Sequence, residues 1–280
     1  MKKGILLMCF NSRTYGKFAF NMAHSIRHYS ELPIHLICDS ESVSGIDMSC
    51  FSSYEIIDFE KNDQGKIDNC IAKIKLFERS PFDKTLYLDV DGVMLRSPDD
   101  LFKKLEDFEF WTQPMGTGKK GDDGINYMWA KNELLYNHFQ IPEGNLFTTC
   151  QTSIIYFTKG AKDFFRCLKA NYSNKLEPKD YKEMWGKSKQ HPDELYYSVT
   201  MAQLGITLLE LRPVFFPERV ASVTEILNDF YVLSMYGGTN VKPYALKLYD
   251  RIMSSILNPI GINHWFKVDQ LYKNKFINIK

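Results

Sequence analysis

Asp89 and Asp91 are two carboxylates separated by one residue, and they follow directly on the apolar run Thr85 to Leu88. At the mouth of a buried strand such a pair can converge on a hard divalent cation, Mg²⁺ or Mn²⁺, whose preferred ligands are oxygens. A cation held there can clamp a diphosphate. A bare Asp-x-Asp also reads as a strand-end turn with two solvated acids. The surrounding residues, Leu86-Tyr87-Leu88 before and Gly92-Val93-Met94-Leu95 after, favour the chemical reading, because they bury the neighbours of both acids and leave the carboxylates at a rigid edge. A second acidic pair, Asp193 and Glu194, opens a helical stretch after Pro192. These two could act on a substrate, or they could be acids that suit the positive end of a helix dipole.

The elements that would position these residues follow from hydrophobic periodicity. Gly4 to Phe10 is a continuous apolar run of strand length, and Tyr15 to Tyr29 then places Phe18, Met22, Ile26 and Tyr29 at helical spacing. Ile34 to Cys38, ending in Asp39, and Tyr54 to Phe59 read as further strands, and Cys70 to Phe77 as a helix. Such continuous apolar strands alternating with helices predict an α/β fold with a mostly parallel central sheet covered on both faces. In open sheets of this kind ligands bind beyond the carboxyl ends of the strands, which is where the Asp89–Asp91 pair falls. Ser97-Pro98-Asp99-Asp100 has the cap, proline and acids of a helix start. Glu109 to Gln113 reads as a strand, and the glycine-rich stretch Pro114 to Gly124 as a loop, a candidate lid. Ile125 to Phe139 reads as a helix, Gln151 to Phe157 as a strand, Ala161 to Tyr172 as a helix, Pro192 to Leu204 as a helix stopped by Gly205, and Thr207 to Leu211 as a strand. With no internal repeat or linker, residues 1–280 read as a single domain.

Composition sets outer limits. A net charge of +1 over 280 residues excludes a global field for polyanions. Locally, Val241 to Lys280 carries seven basic residues against two acidic ones, either a solvated face or a phosphate contact. Six scattered cysteines without a C-x-x-C pair point to a reducing compartment. The apolar run after Met1-Lys2-Lys3 is too short for a leader and lacks a cleavage site, and no apolar stretch has the length of a membrane span. The expectation is a soluble, cytoplasmic protein with no integral membrane span.

The Tyr87-Leu88-Asp89-Val90-Asp91 strand resembles the signature of the GT-A-fold glycosyltransferases of the glycogenin and bacterial galactosyltransferase type, the family-8-like enzymes. The resemblance extends along the chain, and it implies that 1–95 form a nucleotide-sugar-binding half and 96–280 an acceptor-side half with the C-terminal metal-site segment. It implies a Rossmann-like nucleotide-diphospho-sugar transferase fold, a donor that is a nucleotide sugar, most often a UDP-sugar, and Mn²⁺ or Mg²⁺ held by Asp89, Asp91 and His264 of Ile262-Asn263-His264-Trp265. Lys73, in Ala72-Lys73-Ile74-Lys75-Leu76, is similar to the family's basic residue before the strand, which implies contact with sugar or diphosphate. Gln151-Thr152-Ser153 looks like the sugar-contacting strand, usually Asn-Ser-Gly, from which it departs at Gln151 and Ser153. Asp193-Glu194 resembles the family's Asp-Gln pair, implying that Asp193 holds sugar hydroxyls and Glu194 lies near the anomeric carbon. Lys267 is the implied diphosphate ligand, although the family's Gly and Lys-Pro-Trp after the histidine are absent. Phe10, Asn11 and Tyr15, after the first strand, are candidates for the base and ribose. The glycogenin type implies retention of anomeric configuration. No residue singles out the acceptor: a glycan, a protein, a lipid-linked saccharide or a hydroxylated base in DNA all fit.

Asp89-Val90-Asp91-Gly92-Val93 is also similar to the first motif of haloacid-dehalogenase-type phosphohydrolases, in which Asp89 would be the nucleophile. Gly121-Asp122-Asp123 imitates that family's later acidic motif. Only about thirty residues separate the two here, too few for two βαβ crossovers. A catalytically inert nucleotide-sugar-binding protein of the transferase fold is the other alternative.

Overall fold

A computed structural model describes residues 1–58, 61, 65, 67–121, 130–181, 192–216, 222–235 and 243–260. Among these the strands are β1 (Lys3–Cys9), β2 (Ile34–Cys38), β3 (Ser53–Ile56), β4 (Lys84–Asp89), β5 (Gly92–Met94), β6 (Phe110–Gly118), β7 (Phe147–Thr158), β8 (Val214–Phe215) and β9 (Val232–Ser234). The α-helices are α1 (Arg13–Tyr29), α2 (Asn69–Ile74), α3 (Leu76–Arg79), α4 (Asp99–Lys104), α5 (Asn132–His138), α6 (Lys162–Ser173), α7 (Asp193–Leu204), α8 (Val223–Asp229) and α9 (Pro243–Leu257). The fold is mixed α/β with a mostly parallel sheet, as the apolar strand runs predict. The chain divides into an amino-terminal unit, Lys3–Asp58, Tyr87–Glu106 and Arg212–Lys280, and a central unit, Met1–Lys2, Phe59–Leu86 and Asp107–Leu211.

In the amino-terminal unit β1, β2 and β3 pair in parallel, Ile5 opposite Ile34 and Leu36 opposite Tyr54, and the strand order is β3-β2-β1-β4. β2 is buried throughout and β1 from Gly4 onward, so both are continuous apolar strands rather than alternating ones. Ser12 caps α1 by accepting from the Thr14 N–H, and Arg27 and His28 suit the negative end of its dipole. The helix buries Phe18, Met22, Ala23 and Ile26. Gly16 is required by contact, since a Cβ there would lie 1.8 Å from the carbonyl oxygen of Ser42. The smaller sheet, β5-β9-β8, joins β5 to β9 antiparallel and β9 to β8 in parallel. It is tied to α1 where the Met94 N–H donates to Ser25 Oγ at 3.0 Å. A buried hydrogen bond from Asn21 Nδ2 to the Tyr249 hydroxyl, 3.0 Å, joins α1 to α9.

The central unit holds the order β4-β7-β6, with β6 and β7 antiparallel. Its core is aromatic: Phe110 stacks on Phe164 with ring centres 3.7 Å apart, and Phe77, Phe157, Phe165 and Tyr197 complete the cluster. Every residue of α7 from Leu195 to Ala202 is buried, so this helix runs through the core rather than over it. Pro192 precedes its first turn and Gly205, at φ +64°, ends it in the left-handed conformation.

Several elements differ from the sequence reading. The strand Glu109–Gln113 continues through Pro114 to Gly118, so the expected loop Pro114–Gly124 begins as strand. β6 is an edge strand, where a proline costs no ladder bond, and the pairing slips at Thr112/Gln113 and Pro114/Gly116 to accommodate it. Thr207–Leu211 is not a strand; β8 comes later and is only two residues long. The helix expected over Cys70–Phe77 is broken at Lys75 into α2 and α3. Of Ile125–Phe139, only Asn132–His138 is seen as helix, residues 122–129 lying outside the described residues.

Gly16→Ala forces α1 away from the loop at Ser42 and is expected to cost about 2 kcal/mol, within the range for overpacking. Urea denaturation of the variant measures it.

Candidate functional site

Phe10, Asn11, Tyr15, Asp89 and Asp91 all belong to the amino-terminal unit. Asn11 follows β1 with φ +66°, a left-handed conformation that asparagine tolerates, and its N–H donates to Asp39 Oδ2 at 2.7 Å. Asp39 stands after β2, and its other carboxylate oxygen accepts from the Ser42 N–H at 2.7 Å, so one acid fixes both loops. Phe10 is buried and Tyr15, in the first turn of α1, is half-buried. Burial first, then the charges of Asp91 and Asp89, push the Tyr15 hydroxyl above its ordinary value.

Asp89 ends β4 and Asp91 precedes β5, and both side chains are half-buried. The Tyr87 hydroxyl donates to Asp89 Oδ1 at 2.5 Å. The backbone is held as well, because the Met235 N–H donates to the Asp91 carbonyl at 2.6 Å. Gly92 permits the packing behind it: a Cβ would meet the Leu233 carbonyl at 2.9 Å and Met22 and Val232 at 3.2 Å. Two carboxylates on a fixed backbone form an oxygen donor set suited to a hard cation. Among the described residues no group of three His, Cys, Asp or Glu side chains could hold a metal. His264 and Lys267 lie outside the described residues, as does the Asp122-Asp123 pair.

Lys73, Gln151, Thr152, Asp193 and Glu194 all belong to the central unit. Lys73 Nζ, from α2, meets Asp193 Oδ2, at the start of α7, at 2.9 Å, with side chains only 11% and 18% exposed. Lys73 also donates to Oγ1 and the carbonyl of Thr152, on β7, both at 3.3 Å. The Thr152 hydroxyl donates to Asp193 Oδ2 at 2.6 Å. Behind the lysine, the Tyr197 hydroxyl donates to its backbone carbonyl at 2.9 Å. Gln151 is half-buried beside this cluster in sequence, and its carbonyl accepts from Thr112 Oγ1 at 2.9 Å.

Burial alone would raise the Asp193 carboxyl, but the Lys73 charge and hydrogen bonds from Glu194, Thr152 and Lys73 hold it below the usual 3.8. Glu194 moves the other way. Burial and then the Asp193 charge push it well above the usual 4.5. The surroundings thus favour the charged form of Asp193 and the neutral form of Glu194.

Sequence reasoning missed Tyr87, Asp39 and Tyr197. A period of two puts Tyr87 on the same strand face as Asp89, and an acid at the carboxyl end of a parallel strand marks Asp39. Nothing in the sequence signals Tyr197, whose contact with Lys73 is made by the fold.

No family model matches the sequence, and no curated protein matches it. Solved structures do. The galactosyltransferase LgtC in complex with donor and acceptor sugar analogs aligns over 90% of this chain and 95% of its own, at 15% identity and a TM-score of 0.55. An active-site glutamine-to-glutamate mutant of LgtC aligns over the same shares at 16% identity and the same TM-score. The bifunctional glycosyltransferase WbbM in its apo form aligns over 97% of this chain and 51% of its own, at 13% identity and a TM-score of 0.59. The chain has the GT-A fold of these proteins.

Lys73→Met strands a carboxylate beside a buried methionine and is expected to cost about 3 to 5 kcal/mol at pH 7. Because the folded value of Asp193 is depressed, the stability it contributes in the native protein is present above pH 3.8 and is lost as pH falls below it. The gap between the two proteins should therefore narrow in acid, as urea titrations at pH 7 and pH 3 would measure.

Proposed function

We propose that the chain is a metal-dependent glycosyltransferase that moves a sugar from a nucleotide-diphosphate sugar, with UDP-sugar the expected donor, to an acceptor hydroxyl with retention. The observation that carries this reading is the Asp89–Asp91 pair, fixed at the end of β4 in a chain whose fold is that of a galactosyltransferase solved with donor and acceptor sugar analogs. Mg²⁺-type ions commonly take one or two protein carboxylates and complete their shell with substrate phosphates, which suits a site with two described acids. Asp89 and Asp91 would hold Mn²⁺ or Mg²⁺, with His264 as the further ligand. When bound, such a cation supplies Lewis-acid neutralisation of the diphosphate leaving group.

The protein's own residues account for the rest. Phe10, Asn11 and Tyr15 are assigned to the base and ribose, and Asp39 positions Asn11 for that task through its backbone N–H. Lys267 is assigned to the diphosphate. Lys73, engaged by Asp193 and Thr152, acts as the partner that keeps Asp193 ionised. Asp193 then presents a carboxylate to sugar hydroxyls, with Gln151 and Thr152 lining the same strand. Glu194 is assigned a place near the anomeric carbon. It stands at the position that resembles the family's glutamine, and a glutamine-to-glutamate exchange is described as an active-site change in LgtC.

Asp91→Asn is expected to reduce Mn²⁺-dependent hydrolysis or transfer of a UDP-sugar by about a hundredfold or more while the far-UV spectrum stays native. Unchanged turnover would remove the metal role. Phosphate release from a simple phosphomonoester, with no turnover of any nucleotide sugar, would replace the transferase with a phosphohydrolase.

A further inference from the structure

We propose that Ser153 is a specificity residue for the transferred sugar: its hydroxyl stands without a partner in the free protein and is completed by a hydroxyl of the donor's sugar. The inference rests on the glycosyltransferase reading and adds to it a side chain that discriminates among sugars.

The argument begins with where β7 is open. This strand lies between β4 and β6, and from Phe147 to Phe157 it is buried except at two positions, Gln151 and Ser153. An interior strand covered on both faces gives a ligand access only where that cover stops. Burial alternates over Gln151-Thr152-Ser153-Ile154, as one open face and one closed face of a strand require. On the closed side the Thr152 hydroxyl donates to Asp193.

The pairing with β6 breaks at the same place. Thr112 stands opposite Ile155 and Gln113 opposite Gln151, which leaves Thr152, Ser153 and Ile154 with no opposite residue on that strand. Thr112 Oγ1 closes this bulge by donating to the carbonyls of Gln151 at 2.9 Å and Ile154 at 2.8 Å. Bulges are frequent beside active sites, where they re-aim a side chain. Here the bulge is fixed on both sides of its middle residue, and that residue is Ser153.

Ser153 Oγ is buried, yet among the described residues nothing hydrogen-bonds to it. The neighbouring hydroxyls of Thr152 and Thr112 are both engaged. Nearly all buried hydroxyls are bonded, and one that is not weakens the native state by the hydration it has lost. The residue as a whole is part-exposed, so one rotation about χ1 between staggered wells carries the hydroxyl to the open side of the strand. A serine hydroxyl donates one bond and accepts others, and a sugar hydroxyl does the same, so each can complete the other. A site built to bond a substrate hydroxyl rejects an analogue that lacks it, which makes the contact a determinant of which sugar is taken.

Ser153→Ala tests both halves of the proposal. In urea denaturation at pH 7 the midpoint of the variant should equal or exceed that of the wild type, since an unbonded hydroxyl contributes no stability. A lower midpoint would show that the hydroxyl is already bonded in the free protein and would overturn the proposal. Calorimetric titration in Mn²⁺ then compares UDP with UDP-glucose, UDP-galactose and UDP-N-acetylglucosamine. For the UDP-sugar that the wild type binds most tightly, Kd should rise by about threefold to tenfold in Ser153→Ala, the loss of one hydrogen bond, while Kd for UDP stays as it was. An equal loss for UDP and the UDP-sugar, or no loss for either, would overturn the inference and leave the transferase reading standing. If the wild type binds neither UDP nor any of the three UDP-sugars, the transferase reading fails and the inference with it.

Discussion

The central unit is organised around the ion pair of Lys73 and Asp193. Three elements distant in sequence, α2, β7 and α7, contribute to it, and each is held in register by a different bond: the lysine's ammonium, the Thr152 hydroxyl and the Tyr197 hydroxyl. A buried pair of this kind gains little over a well-packed apolar substitute, yet losing one partner strands the other in a medium that cannot solvate it. The pair is therefore better understood as a device that fixes one arrangement than as a source of net stability. It also sets the charge of its surroundings. Burial and the Asp193 charge push the adjacent Glu194 carboxyl well above its ordinary value.

The amino-terminal unit uses backbone restraint where the central unit uses charge. Asp39 holds the turns after β1 and β2, Tyr87 holds Asp89, and Met235 holds the carbonyl of Asp91. Gly92 allows β5 to pack closely enough against β9 for that last bond. Two acids on so constrained a backbone form an oxygen donor set for which a divalent cation is the natural partner. In the proposed reading these acids are the oxygen ligands of the cation that neutralises the leaving group.

Much of this was legible in the sequence because strands buried on both faces and long amphipathic helices leave strong periodic signals. β1, α1 and β2 are of that kind, and the acids of Asp89-Val90-Asp91 stand where the apolar run stops. Elements set by tertiary position left no such signal. β6 passes through Pro114 and two glycines because it lies at an edge, which is a property of the sheet and not of the segment. β5, β8 and β9 are two or three residues long, too short for periodicity to mark, and they exist because they pair with one another. The opposite shifts of Asp193 and Glu194 were equally hidden, since they depend on burial and on Lys73 and Thr152, which only the fold brings to Asp193.

The central claim is that the Asp89–Asp91 pair receives a nucleotide sugar through a divalent cation. It is tested most directly by melting the protein with a panel of nucleotide sugars, with and without Mn²⁺, because a ligand that binds the native state raises its melting temperature whatever the acceptor. The account predicts an upward shift with a UDP-sugar that requires Mn²⁺ and vanishes in Asp89→Asn. A shift independent of the metal, or no shift with any nucleotide sugar, would contradict it.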